Sequence, residues 1–211
     1  MNYALTLSIK LTTTKKLTIG SGGLTLISKA DVPFIKIKRA DNKIGLFIPG
    51  STIKGVLRTS LIRTAHLLNF KDLNASVYPG EKVGSSDIVT SLFGCPGGPK
   101  GKIIVDSCMI EDIAQTITHV RINDKNRTAE EGALFSVQYL PIGSSFNIKI
   151  KGENLSLEES RALFLSILEL KYERVGKSGL VDVSIIESES KIPDELRKDP
   201  LIREILGGIS K

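Results

Sequence analysis

Lys54 and Arg58 lie four residues apart in Phe47-Ile-Pro-Gly-Ser-Thr-Ile-Lys-Gly-Val-Leu-Arg58. That spacing puts both side chains on one face of a helix. Ser51 stands where a helix beginning after Pro49-Gly50 would take its N-cap. A strand end, a glycine turn and a first helical turn gather backbone N–H groups, which suits a phosphate or a run of phosphates. The same pattern also describes a capped surface helix whose charges meet water. His66 and His119, the two histidines, are of a side-chain type that could act as a general base. The simpler readings are a helix-surface or core residue for His66 and a structural member of a hairpin base for His119. Arg121, Lys125 and Arg127 fall in a polar segment that reads on its own as a solvated tip. Asp31, just before Val32-Pro33, has the type and place of a turn-capping carboxylate. Asp106 and Asp124 read as structural or solvated.

Several elements must position these groups. Tyr3–Leu11 alternates as a half-buried strand. Gly20-Ser-Gly-Gly23 is a flexible turn, and it matches neither GxGxxG nor a Walker loop, which argues against a nucleotide site. Ile35–Arg39 alternates as a strand with basic side chains outward, and Asp41-Asn42 reads as a turn before a strand at Leu46–Ile48. The helix from Ser51 is expected to bury Ile53, Val56/Leu57 and Leu67/Leu68 and to end near Asn69. Residues 70–101 show no sustained period, apart from a small apolar anchor at Val89–Gly94. A loop of that length in a compact domain marks function or partial disorder. Lys102–Met109 reads as a strand. Thr116–Ile122 and Ala133–Leu140 read as a long hairpin around the polar tip 123–132. Ser145–Lys151 continues the β region. Ser156-Leu-Glu-Glu159 is a capping box opening a helix to about Tyr172. Leu180–Ile186 is a last strand, and Pro193–Leu206 a short C-terminal helix. With insertions removed, the order is strand, helix, strand, strand, helix, strand. That predicts an α+β chain with a ferredoxin-like (RRM-like) βαββαβ core.

The chain has 211 residues, enough to bury a sizeable core, and its 41% apolar content is ordinary for a globular protein. No apolar run approaches a membrane span, and Met1-Asn-Tyr-Ala lacks a secretory signal's apolar block, so no membrane partner and a cytoplasmic location are expected. Cys95 and Cys108 are the two cysteines and form no CxxC. A zinc site and a disulfide framework are therefore disfavoured, and both are expected as small buried residues. The 29 basic against 23 acidic residues leave a net charge of +6, with pI near 9.3. That favours an anionic partner. Seven Phe, four Tyr and no Trp make backbone contact by Lys and Arg a better expectation than stacking on many aromatic platforms. Abundant Ile and Lys hint at a thermophile.

Ile48-Pro-Gly-Ser-Thr-Ile-Lys-Gly-Val-Leu-Arg58 resembles the signature of the RAMP superfamily, the repeat-associated RNA-binding proteins of CRISPR systems. Leu92-Phe-Gly94 with Gly101-Lys-Ile-Ile-Val-Asp106 resembles its LFG segment and following strand. His119-Val-Arg-Ile122, Thr128-Ala129, Gly132-Ala-Leu-Phe135 and Leu140-Pro-Ile-Gly-Ser144 are similar to the hairpin of the Csm-type backbone subunit of type III effector complexes. Ala30-Asp-Val-Pro-Phe34 resembles the Asp-containing loop of that subunit. These matches run in order from about residue 5 to 187. One departure stands out: the closing glycine-rich loop is shortened to Arg174-Val-Gly-Lys-Ser-Gly-Leu-Val-Asp-Val183, as in a divergent paralogue. The resemblance implies a single RAMP domain over 1–211, with a core of about 1–11, 46–69, 102–122 and 133–187. Insertions would occupy about 12–45 and 70–101, with the hairpin at 121–132.

The resemblance further implies a subunit that polymerises along a CRISPR guide RNA beside other RAMP subunits and a large subunit. Ser51, Lys54 and Arg58 would hold guide phosphates, which carry no sequence information and so suit any guide. The hairpin would wedge between bases of the guide–target duplex, with Arg121, Lys125 and Arg127 available to RNA. Asp31 becomes the candidate catalytic residue for metal-dependent cutting of target RNA. The divalent cation, Mg or Mn, would be held mainly by RNA, since no second acidic residue forms an obvious pair with Asp31. Whether the chain is an enzyme stays open. One alternative is a non-catalytic scaffold or end cap of the same complex. Another is a stand-alone, metal-independent precursor-RNA endoribonuclease using a histidine. A third is a ferredoxin-like small-molecule or metabolic domain that binds no RNA.

Overall fold

Leu5, Leu7, Ile9 and Leu11 are almost wholly buried, as alternation along a strand with one face on a core requires. They belong to β1 (Tyr3–Thr13) of a computed structural model that describes residues 1–20, 30–38, 42–70, 87–95, 97–111 and 113–209. β2 (Lys36–Lys38) and β3 (Ile44–Ile48) lead into α1 (Gly50–Thr64), whose end tightens into a 3-10 turn at Ala65–Leu68. α2 (Ile88–Phe93), β4 (Ile103–Val105) and β5 (Cys108–Ile110) follow. β6 (Gln115–Ile122) and β7 (Ala129–Tyr139) form the hairpin. β8 (Ser145–Leu155), α3 (Leu157–Glu169), β9 (Val181–Ile185), α4 (Asp194–Lys198) and α5 (Pro200–Ile209) complete the order. Residues 21–23, 41 and 71–86, on which most of the glycine turn, part of the Asp41-Asn42 turn and much of the long loop fall, lie outside the described residues.

The main sheet has the order β4-β8-β1-β9, with every neighbouring pair antiparallel. The path β1–α1–β4–β8–α3–β9 through that order is the ferredoxin-like α+β arrangement expected from the sequence. Ile9 faces Ile148 on one side and Ile185 on the other. Over this face, α1 contributes Ile53, Leu57 and Leu61, and α3 contributes Leu163, Phe164 and Ile167, all at 0% exposure. Burying six such side chains stabilises the layer by about 1.5–3 kcal/mol each before entropy is counted. Arg63 near the end of α1 pairs with Glu169 and, at 2.6 Å, with Glu173.

Glu159 joins three further segments. Ser156 and Glu159 form the expected capping box at the start of α3. The Glu159 carboxylate also accepts from Lys102 Nζ at 2.8 Å and Ser91 Oγ at 2.5 Å. Burial pushes this carboxyl up, but Lys102, Ser91 and the Ser156 N–H outweigh it, and the net shift is below the usual range. The approaches to β4 and the end of α2 are thereby fixed to α3.

Several expectations are corrected. Leu67 is exposed rather than core, because the 3-10 turn rotates it off the buried face. Ile37, expected inward of its basic neighbours, is also exposed, on the short edge strand β2. Lys102–Met109 is two strands: the chain leaves the main sheet after Val105 and enters a second sheet, order β2-β3-β5, at Cys108. The apolar anchor at Val89–Gly94 is a helix, α2; Asp87 caps it by accepting the Thr90 N–H at 2.7 Å. The hairpin ladder continues to Ile122↔Ala129, so its polar tip is 123–128, shorter than expected. The C-terminal helix is broken at Asp199-Pro200, where Asp199 accepts the Ile202 N–H and pairs with Arg161. Cys95 and Cys108 are half-buried, and burial pushes the Cys108 thiol up to about 11.

Candidate nucleic-acid interface

Lys54 and Arg58 do share a face of α1. Lys54 Nζ donates to the Ile103 carbonyl at 2.9 Å, and an Arg58 guanidinium N–H donates to the Gly94 carbonyl at 2.8 Å. Both carbonyls belong to the stretch that returns from α2 to β4. That stretch is pinched at its base: Gly94 has φ +76°, and a Cβ on Gly101 would meet the backbone of Phe93 and Gly94 within about 2.5 Å. Glycine is therefore required at both ends of the pinch. Between the helix face and the loop lies a pocket of about 500 Å³, lined by Lys54, Arg58 and Lys100 and, among the described residues, by no carboxylate. Burial, and then Arg58 beside it, push the Lys54 ammonium below its usual value. An ammonium has three donors and a guanidinium five. The bonds to Ile103 and Gly94 use one donor of each, so both cations can still serve an anion in the pocket.

The helix start differs from expectation. The N-cap is Pro49, without a side-chain cap bond, and Ser51 is an exposed first-turn residue. Gly50 is buried, and its N–H donates to Ser107 Oγ at 2.9 Å. A Cβ at Gly50 would stand 2.0 Å from the Val105 carbonyl oxygen. The chain between β4 and β5 thus covers the helix end, so the signature glycine serves close packing as well as the turn. The open nest of N–H groups expected there is partly occupied by the protein itself.

Asp31 is exposed and lies beside β7. Its Oδ2 accepts the Ser136 backbone N–H at 2.7 Å and the Ser136 hydroxyl at 2.8 Å. These bonds, backbone first, hold its carboxyl below the usual aspartate value. Val32 bridges Val137 in parallel, and Phe34 N–H donates to Gln138 Oε1 at 3.2 Å. The segment is therefore docked along β7 through an isolated parallel bridge. The reading of Asp31 as a local turn cap gives way to a long-range tie. Among the described residues Oδ1 takes no hydrogen bond, and no cluster of three or more His, Cys, Asp or Glu could hold a metal. One open carboxylate oxygen fits a cation whose other ligands come from RNA and water.

The hairpin cations sit apart from these groups. Arg121 pairs with Glu130 at 3.2 Å. Lys125 and Arg127 are exposed at the tip, where Asn123 accepts backbone N–H groups of Lys125 and Arg127 and Arg127 has φ 53°. His119 stacks on Phe135 with centroids 5.2 Å apart. His66 is exposed, with Nδ1 3.0 Å from the Arg63 carbonyl oxygen of its own helix. Sequence reasoning missed Lys100 and Ser136 as members of these groups. Lys100 could have been found from its place between Gly94 and Gly101, whereas Ser136 needed the register of the 31–34 segment on β7.

The frame is that of ferredoxin-like domains carrying a long hairpin and a carboxylate-free basic pocket. The chain belongs to the RAMP superfamily, whose family model matches residues 10–179. This membership carries CRISPR-associated RNA binding, with RNA and other CRISPR subunits as partners. A search of curated proteins finds no match to the chain. Among the described residues no helix is long and apolar enough to cross a membrane.

Proposed function

We propose that the chain is a guide-RNA-binding backbone subunit of a type III CRISPR interference complex. The observation that carries this is the pocket lined by Lys54, Arg58 and Lys100 without an acidic neighbour among the described residues. Three cations facing one concavity favour a polyanion, and backbone contacts of this kind accept any guide sequence. Lys125 and Arg127 at an exposed hairpin tip, and Ser51 on the exposed first turn of α1, extend the same reading. The test is RNA crosslinking within the purified native complex, with the crosslinked residues mapped. Crosslinks to 54–58 and 98–103 support the reading; their absence from both segments overturns it.

Cleavage of bound target RNA by Asp31 is a second reading, favoured by a carboxyl held below its usual value and by an Oδ1 that takes no hydrogen bond among the described residues. Bound to Asp31 and RNA phosphates, a divalent cation would supply charge neutralisation at the scissile phosphate. The protein's part is to keep the carboxylate ionised and fixed through Ser136. Asp31→Ala in the assembled complex should abolish cutting; cutting retained at every site leaves a scaffold or end cap. The stand-alone endonuclease gains little support, because His119 is engaged with Phe135 and His66 lies beside its own helix backbone. Metal-independent cutting by the isolated chain in EDTA would reinstate it.

A further inference from the structure

The face of the main sheet opposite α1 and α3 is polar. Alternation along β1 sends Thr6, Ser8, Lys10 and Thr12 to it. Their partners on β8 are Lys151, Lys149, Asn147 and Ser145. Lys10, Lys149 and Lys151 are all exposed. Lys149 and Lys151 stand two apart on one strand, and Lys10 is a diagonal neighbour of Lys149, roughly 7–8 Å away. Among the described residues the side chains of Lys10 and Lys149 make no hydrogen bond or ion pair.

This face is continuous with the basic pocket on α1. Ile104 of the edge strand β4 lines that pocket and pairs directly with Lys151 of β8. Ile104 is 57% exposed, and the carbonyl of its neighbour Ile103 accepts from Lys54. A strand leaving Lys54, Arg58 and Lys100 over the β4 edge therefore meets Lys151, then Lys149, then Lys10. Carboxylates border this path, and three of them are engaged. Asp106 pairs with Lys151 at 3.0 Å, Asp182 pairs with Lys171 at 3.4 Å, and Glu189 accepts from the Ser8 hydroxyl at 2.7 Å. Glu153 stands beyond Lys151, toward the end of β8.

We propose that this sheet face is a second phosphate-contacting surface, on which an RNA strand seated in the α1 pocket continues past Ile104. The proposal rests on the RNA-binding reading and adds the strand's path to it. Charge favours a polyanion, since the two central lysines have no counter-ion of their own among the described residues. The make-up of the face favours a phosphate backbone over a protein. Protein interfaces centre on buried aromatic or aliphatic anchors, whereas the centre of this face is lysine, serine and asparagine. Ferredoxin-like sheets that stack bases do so with aromatics on their strands. These four strands present none on this face, so the contact is to the backbone and accepts any sequence.

The test is fluorescence anisotropy of oligouridines against salt, using the full chain at one chain per strand. Strands of ~4 and ~16 nucleotides span the site sizes of single-strand binders, and the shorter can fill the pocket alone. Wild type should show the steeper salt slope with the longer strand. Lys10→Gln with Lys149→Gln should lower that slope by about 1.4, at ~0.7 for each phosphate left unneutralised. Binding of the short strand should not change. A Lys198→Gln, Arg203→Gln control, with equal charge loss on α4 and α5, should keep both slopes. An unchanged long-strand slope in the sheet variant, or a fall matched by the control, overturns the surface and leaves the pocket reading standing. Equal slopes for the two lengths in wild type do the same. No binding of either strand by wild type overturns both. If the sheet variant binds RNA as wild type does but no longer joins the native complex, the face serves a protein and the proposal falls.

Discussion

Asp31 and Ser136 make a reciprocal clasp. Oδ2 of Asp31 accepts from both the N–H and the hydroxyl of Ser136, while Asp31 N–H donates to Ser136 Oγ at 3.1 Å. The loop and the second hairpin strand are thus joined through the Asp31 carboxylate. Ser136→Ala keeps the backbone bond and removes the hydroxyl. The Asp31 pKa should then rise toward the ordinary aspartate value, readable by carboxyl carbon NMR. An unchanged titration would show that the backbone N–H alone sets it. If Asp31 supports cleavage, the acid limb of the rate profile moves up with it.

Glu159 predicts the acid behaviour of the fold. Its folded pKa is depressed, so its contribution is fully present above the unfolded value of about 4.3 and is lost as pH falls through the folded pKa. Thermal melting should fall between neutral pH and pH 3, and Glu159→Gln should flatten that dependence. Lys102 keeps 31% of its side chain exposed, so the substitution should cost about 2–4 kcal/mol, less than for a wholly buried pair.

Two glycines of α1 should respond in opposite directions. Gly50→Ala drives a Cβ into the Val105 backbone and should cost roughly 2–4 kcal/mol. Among the described residues nothing lies within 4 Å of where a Cβ on Gly55 would stand, so Gly55→Ala should raise stability by about 0.5–1 kcal/mol. Urea unfolding of the two variants beside wild type measures both.

Lys54→Ala and Arg58→Ala should each weaken RNA binding uniformly across sequences. The slope of log affinity against log salt should fall by roughly one for each phosphate that is no longer neutralised. An unchanged slope would assign these cations to the Ile103 and Gly94 carbonyls alone.

The ferredoxin-like frame is legible in the chain because its signals are local. Alternation in Tyr3–Leu11 and the Ser156/Glu159 box each lie within a few residues of what they specify. The helix start is legible to within one residue, but how that end is satisfied is not, because the partner of the Gly50 N–H, Ser107, is far along the chain and no local pattern announces it. Leu67 carries the apolar spacing of an α-helix, but the 3-10 turn changes the angle between residues. Spacing alone puts Lys54 and Arg58 together. Their attachment to the 94–103 loop depends on where that loop folds back, which spacing does not reveal.

β1 lies between β8 and β9 in the finished sheet and is made before either of them. It ends at Thr13, whereas β8 begins at Ser145 and β9 at Val181. At roughly 5–20 residues per second of synthesis, β1 waits on the order of ten seconds or more for its first partner. Throughout that interval Leu5, Leu7, Ile9 and Leu11 lack the strand partners that flank them in the folded sheet. Sheet closure is therefore a late, long-range event in the making of this fold.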